Sequence, residues 1–239
     1  AKKAWFFFDN EIVCLGTGIN SYAKEPITTT VNQAWLKGTV KAFSNDKLVD
    51  ARKGLAAKNI QWLWHDSVGY YFPNSGNINL TNNEQVGSWA KINANRSEAK
   101  VKGKVFKLWF NHGLDPENQS YSYIVMPGIS ASDMGDEKIA NIKILANSNS
   151  LQAVEHKAFN IVQVVFYEAG SLNQNGYKLT VDKPCVLFLK AIDTKAPLLY
   201  ISDPTQKLTD ININLNGVST AISFPQGEHK GASVGFQFN

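Results

Sequence analysis

The sequence predicts an all-β protein made of antiparallel β-sandwich domains. Three observations point there. Short apolar runs rich in β-branched and aromatic residues recur along the 239 residues, cut by Gly, Asn, Asp and Pro. About sixteen such runs succeed one another at roughly the 8–12-residue spacing of sandwich strands. Helical spacing occurs in one place only, Ser44 to Ala57, where Leu48, Ala51 and Leu55 recur one turn apart and Gly54 weakens the pattern.

The strands can be placed in order. Trp5 to Phe8 and Ile12 to Leu15 flank Asp9-Asn10-Glu11, the pattern of a hairpin. Ile27 to Val31 is a Thr-rich strand. Ile60 to Trp64 and Val68 to Phe72 flank His65-Asp66-Ser67 as a second hairpin. Ile78 to Thr81, Val105 to Phe110 and Tyr121 to Met126 come next, and Pro127-Gly128 ends the last with a turn. Ser132 to Lys143 breaks the rhythm with polar capping residues and acids, so a short helix or surface loop is expected there, and with it a domain boundary. Residues 1–140 and 141–239 are the expected domains.

In the second half, Leu151 to His156 alternates. Ile161 to Tyr167 is nearly continuous in apolar character and is expected to be buried on both faces. Tyr177 to Val181, Cys185 to Lys190 and Leu198 to Ser202 come next. Asp210 to Leu215 alternates strictly, so one of its faces meets water. Ala221 to Phe224 and Ser233 to Phe238 close the chain. Trp62 and Trp64 share a strand face by period two, as do Trp5 and Phe7, and all four are expected in the core.

Composition narrows the function. Lys+Arg 24 against Asp+Glu 20 leaves a net charge of +4, scattered along the chain. A nucleic-acid surface would gather its basic residues on one face, so none is expected. No run approaches the ~20 apolar residues of a membrane helix. Cys14 and Cys185 lie in apolar runs and read as buried thiols, with a disulfide between them left open. No Cys/His spacing suits a metal and no carboxylate cluster suits calcium, so neither metal nor cofactor is expected. The chain enters a strand-rich pattern within four residues and shows no leader, which reads as part of a longer protein.

Several motifs, taken in order, resemble polysaccharide lyase family 8. Trp5-Phe6-Phe7-Phe8-Asp9 with Glu11 to Ile19 looks like the family's WFFFD segment and its continuation. Thr28-Thr29-Thr30 with Asn32-Gln33, and His65-Asp66 with Gly69-Tyr70-Tyr71-Phe72, are similar to two more of its motifs. Trp89 with Ile92-Asn93, then Trp109, His112-Gly113, Pro116, Tyr121-Ser122-Tyr123 and Pro127-Gly128, continue the series. Asn147, Leu151 to Val154, His156, Asp182 to Cys185 and Asp203 to Gln206 extend it into the second half. The ordered set is specific where no single motif is, and within the family it is most similar to the bacterial chondroitin AC lyases.

The resemblance implies part of a central β-supersandwich followed by a C-terminal β-sandwich. It implies a secreted or periplasmic enzyme that cleaves chondroitin sulfate or hyaluronan by β-elimination. That reaction neutralises a uronate carboxylate, removes the C5 proton and protonates the departing O4, so it needs several positioned groups in one cleft. In the family these are an Asn, a His, a Tyr and an Arg from an N-terminal helical domain, with a Glu preceding the WFFFD segment. None maps onto this sequence, so the chain is expected to hold no catalytic residue and to have that helical domain as its partner. Asn111, His112, Tyr121 and Tyr123 match structural turn and strand positions, and His65, His156 and His229 lack a supporting constellation. For an acidic polysaccharide the candidate binding residues are Trp89, Lys100, Lys102 and Lys104, the lysines alternating along a strand and the indole coming after Gly87-Ser88. A purely structural role with no ligand shares every one of these features.

Overall fold

The computed structural model describes residues 1–49, 51, 54–57, 59–74 and 76–238. Within them the chain is all-β, with twenty-two strands and four single-turn 3₁₀ segments. Every registered strand pair is antiparallel, as hairpin-connected short strands demand. The strands form four sheets. A seven-stranded sheet runs in the order Lys2–Phe7, Ile12–Ile19, Gln119–Pro127, Val68–Tyr71, Ile60–His65, Lys41–Ser44, Lys47–Val49. A five-stranded sheet has Val101–Gly113 at its centre, paired with Glu84–Gly87, Ile78–Thr81 and Ile27–Trp35, and Leu55–Ala57 beyond Ile78–Thr81. The remaining two sheets have six and four strands.

The chain divides into two compact units. One takes Asp9–Cys14 and Ile19–Met134, the other Ala1–Phe8, Leu15–Gly18 and Gly135–Asn239. In the first, the seven- and five-stranded sheets share a core. Leu63, Tyr70 and Ala42 come from one sheet, and Phe106, Leu108, Ile78 and Leu80 from the other. In the second, Val162, Val164, Leu187 and Ile201 of the six-stranded sheet meet Leu179, Ile211, Ile213 and Leu215 of the four-stranded one. Both are sandwiches, each burying the alternate residues of two sheets.

The two expected hairpins form. Asp66 and Ser67 adopt φ of 47° and 63°, the two positive angles of a tight turn whose twist matches the strands. The helical expectation for Ser44 to Ala57 is corrected. Asn45 and Asp46 take φ of 50° and 60° and close another two-residue hairpin between Lys41–Ser44 and Lys47–Val49, and Leu55–Ala57 is a strand. The turn chemistry of Asn-Asp overrides three apolar residues at helical spacing, and Leu48 is exposed. Residues 50, 52 and 53 of that stretch lie outside the described residues. Between Ser132 and Lys143 the chain makes a 3₁₀ turn, Asp136–Lys138.

Three further expectations about burial change. Trp5 and Phe7 are 55% and 64% exposed, because Ala4 and Phe6 take the buried side of Lys2–Phe7. Trp62 is in the core, stacked on Phe43 at 5.3 Å, while Trp64 is half-buried and donates its indole N–H to the Ile129 carbonyl at 2.8 Å. Ile161–Phe166 buries Val162, Val164 and Phe166 fully, but its other side, with Gln163 at the centre, is only half-buried. That side is where the first strand is held. Gln163 Nε2 donates to the Phe7 carbonyl at 2.8 Å, and the Tyr167 hydroxyl donates to the Lys3 carbonyl at 3.3 Å. Lys2 lies 4.7 Å above the Tyr167 ring.

Both cysteines are free and buried. Burial pushes the Cys14 thiol up to about 11 and the Cys185 thiol up to about 12, so both stay protonated and behave as small hydrophobes.

Two buried ionisable groups tie stability to pH. Burial alone would raise the Asp203 carboxyl, but hydrogen bonds outweigh it. Thr205 donates its hydroxyl and amide N–H at 2.7 and 2.8 Å, and the Leu208 and Lys207 amides donate at 2.8 and 2.7 Å. These hold the carboxyl down at about 2. A folded value below the unfolded value of ~3.9 means stability that is complete above about pH 4 and lost as pH falls toward 2. Asp203→Asn is expected to cost about 2 kcal/mol at pH 7 and to flatten the acid limb of denaturant-measured stability; an unchanged acid limb would contradict this.

His65 is 2% exposed and stacks on Phe106 at 4.2 Å, and its Nε2 accepts the Lys37 amide N–H at 3.1 Å. Burial lowers its pKa against the opposing pull of Asp66. The folded state therefore binds fewer protons than the unfolded chain below the unfolded value of ~6.5, and stability declines as pH falls from there. The chain is expected to lose stability as pH falls from 7.5 to 5.5, a loss that His65→Gln reduces. Equal pH dependence in both proteins would refute it.

Candidate functional site

The four predicted sugar-binding residues gather at one end of the five-stranded sheet. Glu84–Gly87 and Val101–Gly113 pair so that Gly87 faces Val101, Val86 faces Lys102 and Glu84 faces Lys104. Trp89 comes after this pairing at the start of a 3₁₀ turn, Trp89–Lys91, and the residue is 58% exposed. Lys100 precedes the second strand on the other side. Between them lies a groove of about 400 Å³ whose walls include Val86, Ser88, Lys91, Glu98 and Lys100. Lys100 is the one predicted residue in those walls.

Charge at this end is mixed. Lys102 Nζ lies 3.3 Å from Glu84, and both side chains are more than half exposed. Such a pair contributes about 0–1 kcal/mol, but it neutralises a lysine that would otherwise face a polyanion. Directly opposite residues share a sheet face, so Lys102, Lys104, Glu84 and Val86 project on one side. That side continues inward to Phe106, Leu108 and Phe110 of the core.

The opposite face of the same strand carries Val105, Lys107 and Trp109. Lys107 Nζ lies 5.0 Å from the centre of the Trp109 ring. Trp35, paired with Val105 on the neighbouring strand, is 65% exposed. Trp35 and Trp109 fall on one face only when period two is joined to the strand register.

The histidines and their neighbours make the following contacts. His112 Nε2 is 2.8 Å from the Thr29 hydroxyl, and the ring lies 6.3 Å from buried Tyr121. Asn111 accepts the Gly113 amide N–H at 3.0 Å, the local turn bond of a strand end. Tyr123 is buried and bonded to Cys14, and burial drives its phenol well above the ordinary range. His156 accepts the Phe159 amide N–H at 3.3 Å, stacks on Phe159 at 3.9 Å and lies 5.1 Å from Phe8. His229 closes the short turn Gly227–His229. Among the described residues, no three His, Cys, Asp or Glu side chains group as metal ligands.

Comparison with known proteins agrees with the fold. The family model "polysaccharide lyase family 8, super-sandwich domain" matches residues 1–138, and "polysaccharide lyase family 8, C-terminal beta-sandwich domain" matches residues 143–212. The chain is 44% identical to chondroitinase-AC of Pedobacter heparinus over 98% of its length, covering 34% of that protein. It is 28% identical to a hyaluronate lyase of Thermasporomyces composti over 90% of its length, covering 28% of that protein. A solved chondroitinase AC lyase structure superposes with a TM-score of 0.88 and 43% identity, over 98% of this chain and 36% of that one. Xanthan lyase of Paenibacillus gives 0.77 and 26%, over 88% and 21%. The chain thus spans about a third of the chondroitinase-AC of Pedobacter heparinus and of the solved chondroitinase AC lyase. With both domain models matched in order along the chain, this protein belongs to polysaccharide lyase family 8.

Proposed function

We propose that this chain is the β-sandwich portion of a bacterial lyase, secreted or periplasmic, that degrades chondroitin sulfate or hyaluronan by β-elimination. In this reading it completes one wall of the substrate cleft and stiffens the enzyme. The catalytic groups belong to an N-terminal helical domain, its partner in the same protein. The observation behind this is the 44% identity to chondroitinase-AC across nearly the whole chain, set beside coverage of only 34% of that enzyme. The local chemistry agrees. Elimination needs a base, an acid and a carboxylate neutraliser converging on open space. His65 and His156 are buried, Tyr121 and Tyr123 are buried, and Asn111 is engaged with Gly113.

A second reading makes the chain a carbohydrate-binding module holding a glycosaminoglycan at the groove beside Trp89 and Lys100, with Lys102 and Lys104 on its flank. The exposed indole at the mouth of the hairpin favours it. Glu84 and Glu98 work against it by diluting the positive charge.

The purified chain incubated with chondroitin sulfate is expected to give no rise in the ultraviolet absorbance of the unsaturated uronate product. A sustained rise, abolished in His112→Ala, would overturn the assignment of catalysis to another part of the protein.

A further inference from the structure

We infer that the outer face of the five-stranded sheet, around Trp35, Lys107 and Trp109, is a binding platform for an acidic polysaccharide, distinct from the groove at Trp89 and Lys100. The ligand class rests on the proposed lyase function; the surface itself rests on geometry. Val101–Gly113 sends Phe106, Leu108 and Phe110 into the core, so Val105, Lys107 and Trp109 must face away from it. The register extends that face sideways. Gln33 and Thr81 flank Lys107, Thr30 flanks Trp109, and Trp35 flanks Val105.

The Trp35 ring is laid flat by its neighbour. Gly103 lies under the indole, and a Cβ built there would overlap the ring. The indole is thus pressed against bare backbone with 65% of the residue exposed. Trp109 lies four steps along the strand from Val105, the partner of Trp35, about 13 Å at the rise of a β-strand. That span suits an oligosaccharide rather than a single sugar.

The chemistry between the two rings fits a glycan. Aromatic faces take the C–H surface of a pyranose ring, while the Gln33 amide and the Thr30 and Thr81 hydroxyls can pair with sugar hydroxyls. The strand positions on this face between Trp35 and Trp109 include Lys107 and no carboxylate, so the charge complements a uronate or sulfate. A docked protein segment would favour an apolar face with depleted charge, whereas here hydroxyls and an amide alternate with the rings.

The test is titration calorimetry of the chain with chondroitin sulfate oligosaccharides at low salt, with neutral dextran oligosaccharides as control. The chain is expected to bind the acidic ligand, with affinity falling as salt rises. Trp35→Ala is expected to weaken binding at least about tenfold, the effect of losing one ring contact of ~1.4 kcal/mol. Gly103→Ala, which displaces the ring without removing it, and Lys107→Glu, which reverses the charge, give the same direction and keep the test decisive if Trp35→Ala misfolds. Trp89→Ala with Lys100→Ala separates the platform from the groove, and Lys195→Ala, an exposed lysine of the other compact unit, should bind as the parent does. Absence of binding overturns the platform. Binding lost in the Trp89/Lys100 variant and kept in Trp35→Ala moves the sugar to the groove and equally overturns it. Neither result touches the lyase reading, which is decided by product formation.

Discussion

A β-strand turns every second side chain to the opposite side of its sheet, and the first sandwich hangs on that constraint through one element. Val101–Gly113 is thirteen residues long and pairs with three other strands. Its even positions from Phe106 to Phe110 are fully buried and meet Leu63 and Tyr70 of the facing sheet. A slip of one residue would put Lys107 and Trp109 into the core and Phe106 and Leu108 into water. The register therefore fixes the core and, with equal force, which residues are presented outward.

The same rule sorts the side chains of the chain into those that pack and those that are presented outward. Several groups able to exchange protons are committed to packing. His65 is held neutral against Phe106, His156 is clasped by Phe159, and the Cys14 and Cys185 thiols are pushed too high to react at neutral pH. The exposed groups are of another kind: indoles, lysines, hydroxyls and amides on flat or shallow ground.

Much of the fold was legible because it is written in local chemistry. Asp66-Ser67 sets a hairpin turn, and the strands Ile78–Thr81, Leu151–His156, Tyr177–Val181 and Asp210–Leu215 begin and end where the apolar runs do. Strands of polar composition escaped notice. Gly170–Gln174 and Glu84–Gly87 have almost no apolar pattern, and their neighbours in the sheet make them strands. The misread helix at Ser44 to Ala57 shows periodicity losing to a turn of two positive-φ residues. Trp5 and Phe7 were expected in the core because both are large and apolar, yet alternation admits only one side of a strand and Phe6 occupies it. For the candidate site, the sequence placed Trp89 and the lysines near one another. It did not reveal that Glu84 sits opposite Lys104 or that Trp35 shares a face with Trp109, since both facts depend on pairing between distant segments.

The clasp on the first strand bears on modularity. Gln163 and Tyr167 hold the carbonyls of Phe7 and Lys3, and Phe8 rests beside His156, so the compact unit that contains residues 135–239 also owns the first eight. An excision made at the sequence boundary near residue 140 would leave these three side chains facing solvent. The C-terminal sandwich is therefore no transplantable cassette: grafted onto another enzyme, it would need a surrogate for a strand encoded more than a hundred residues upstream.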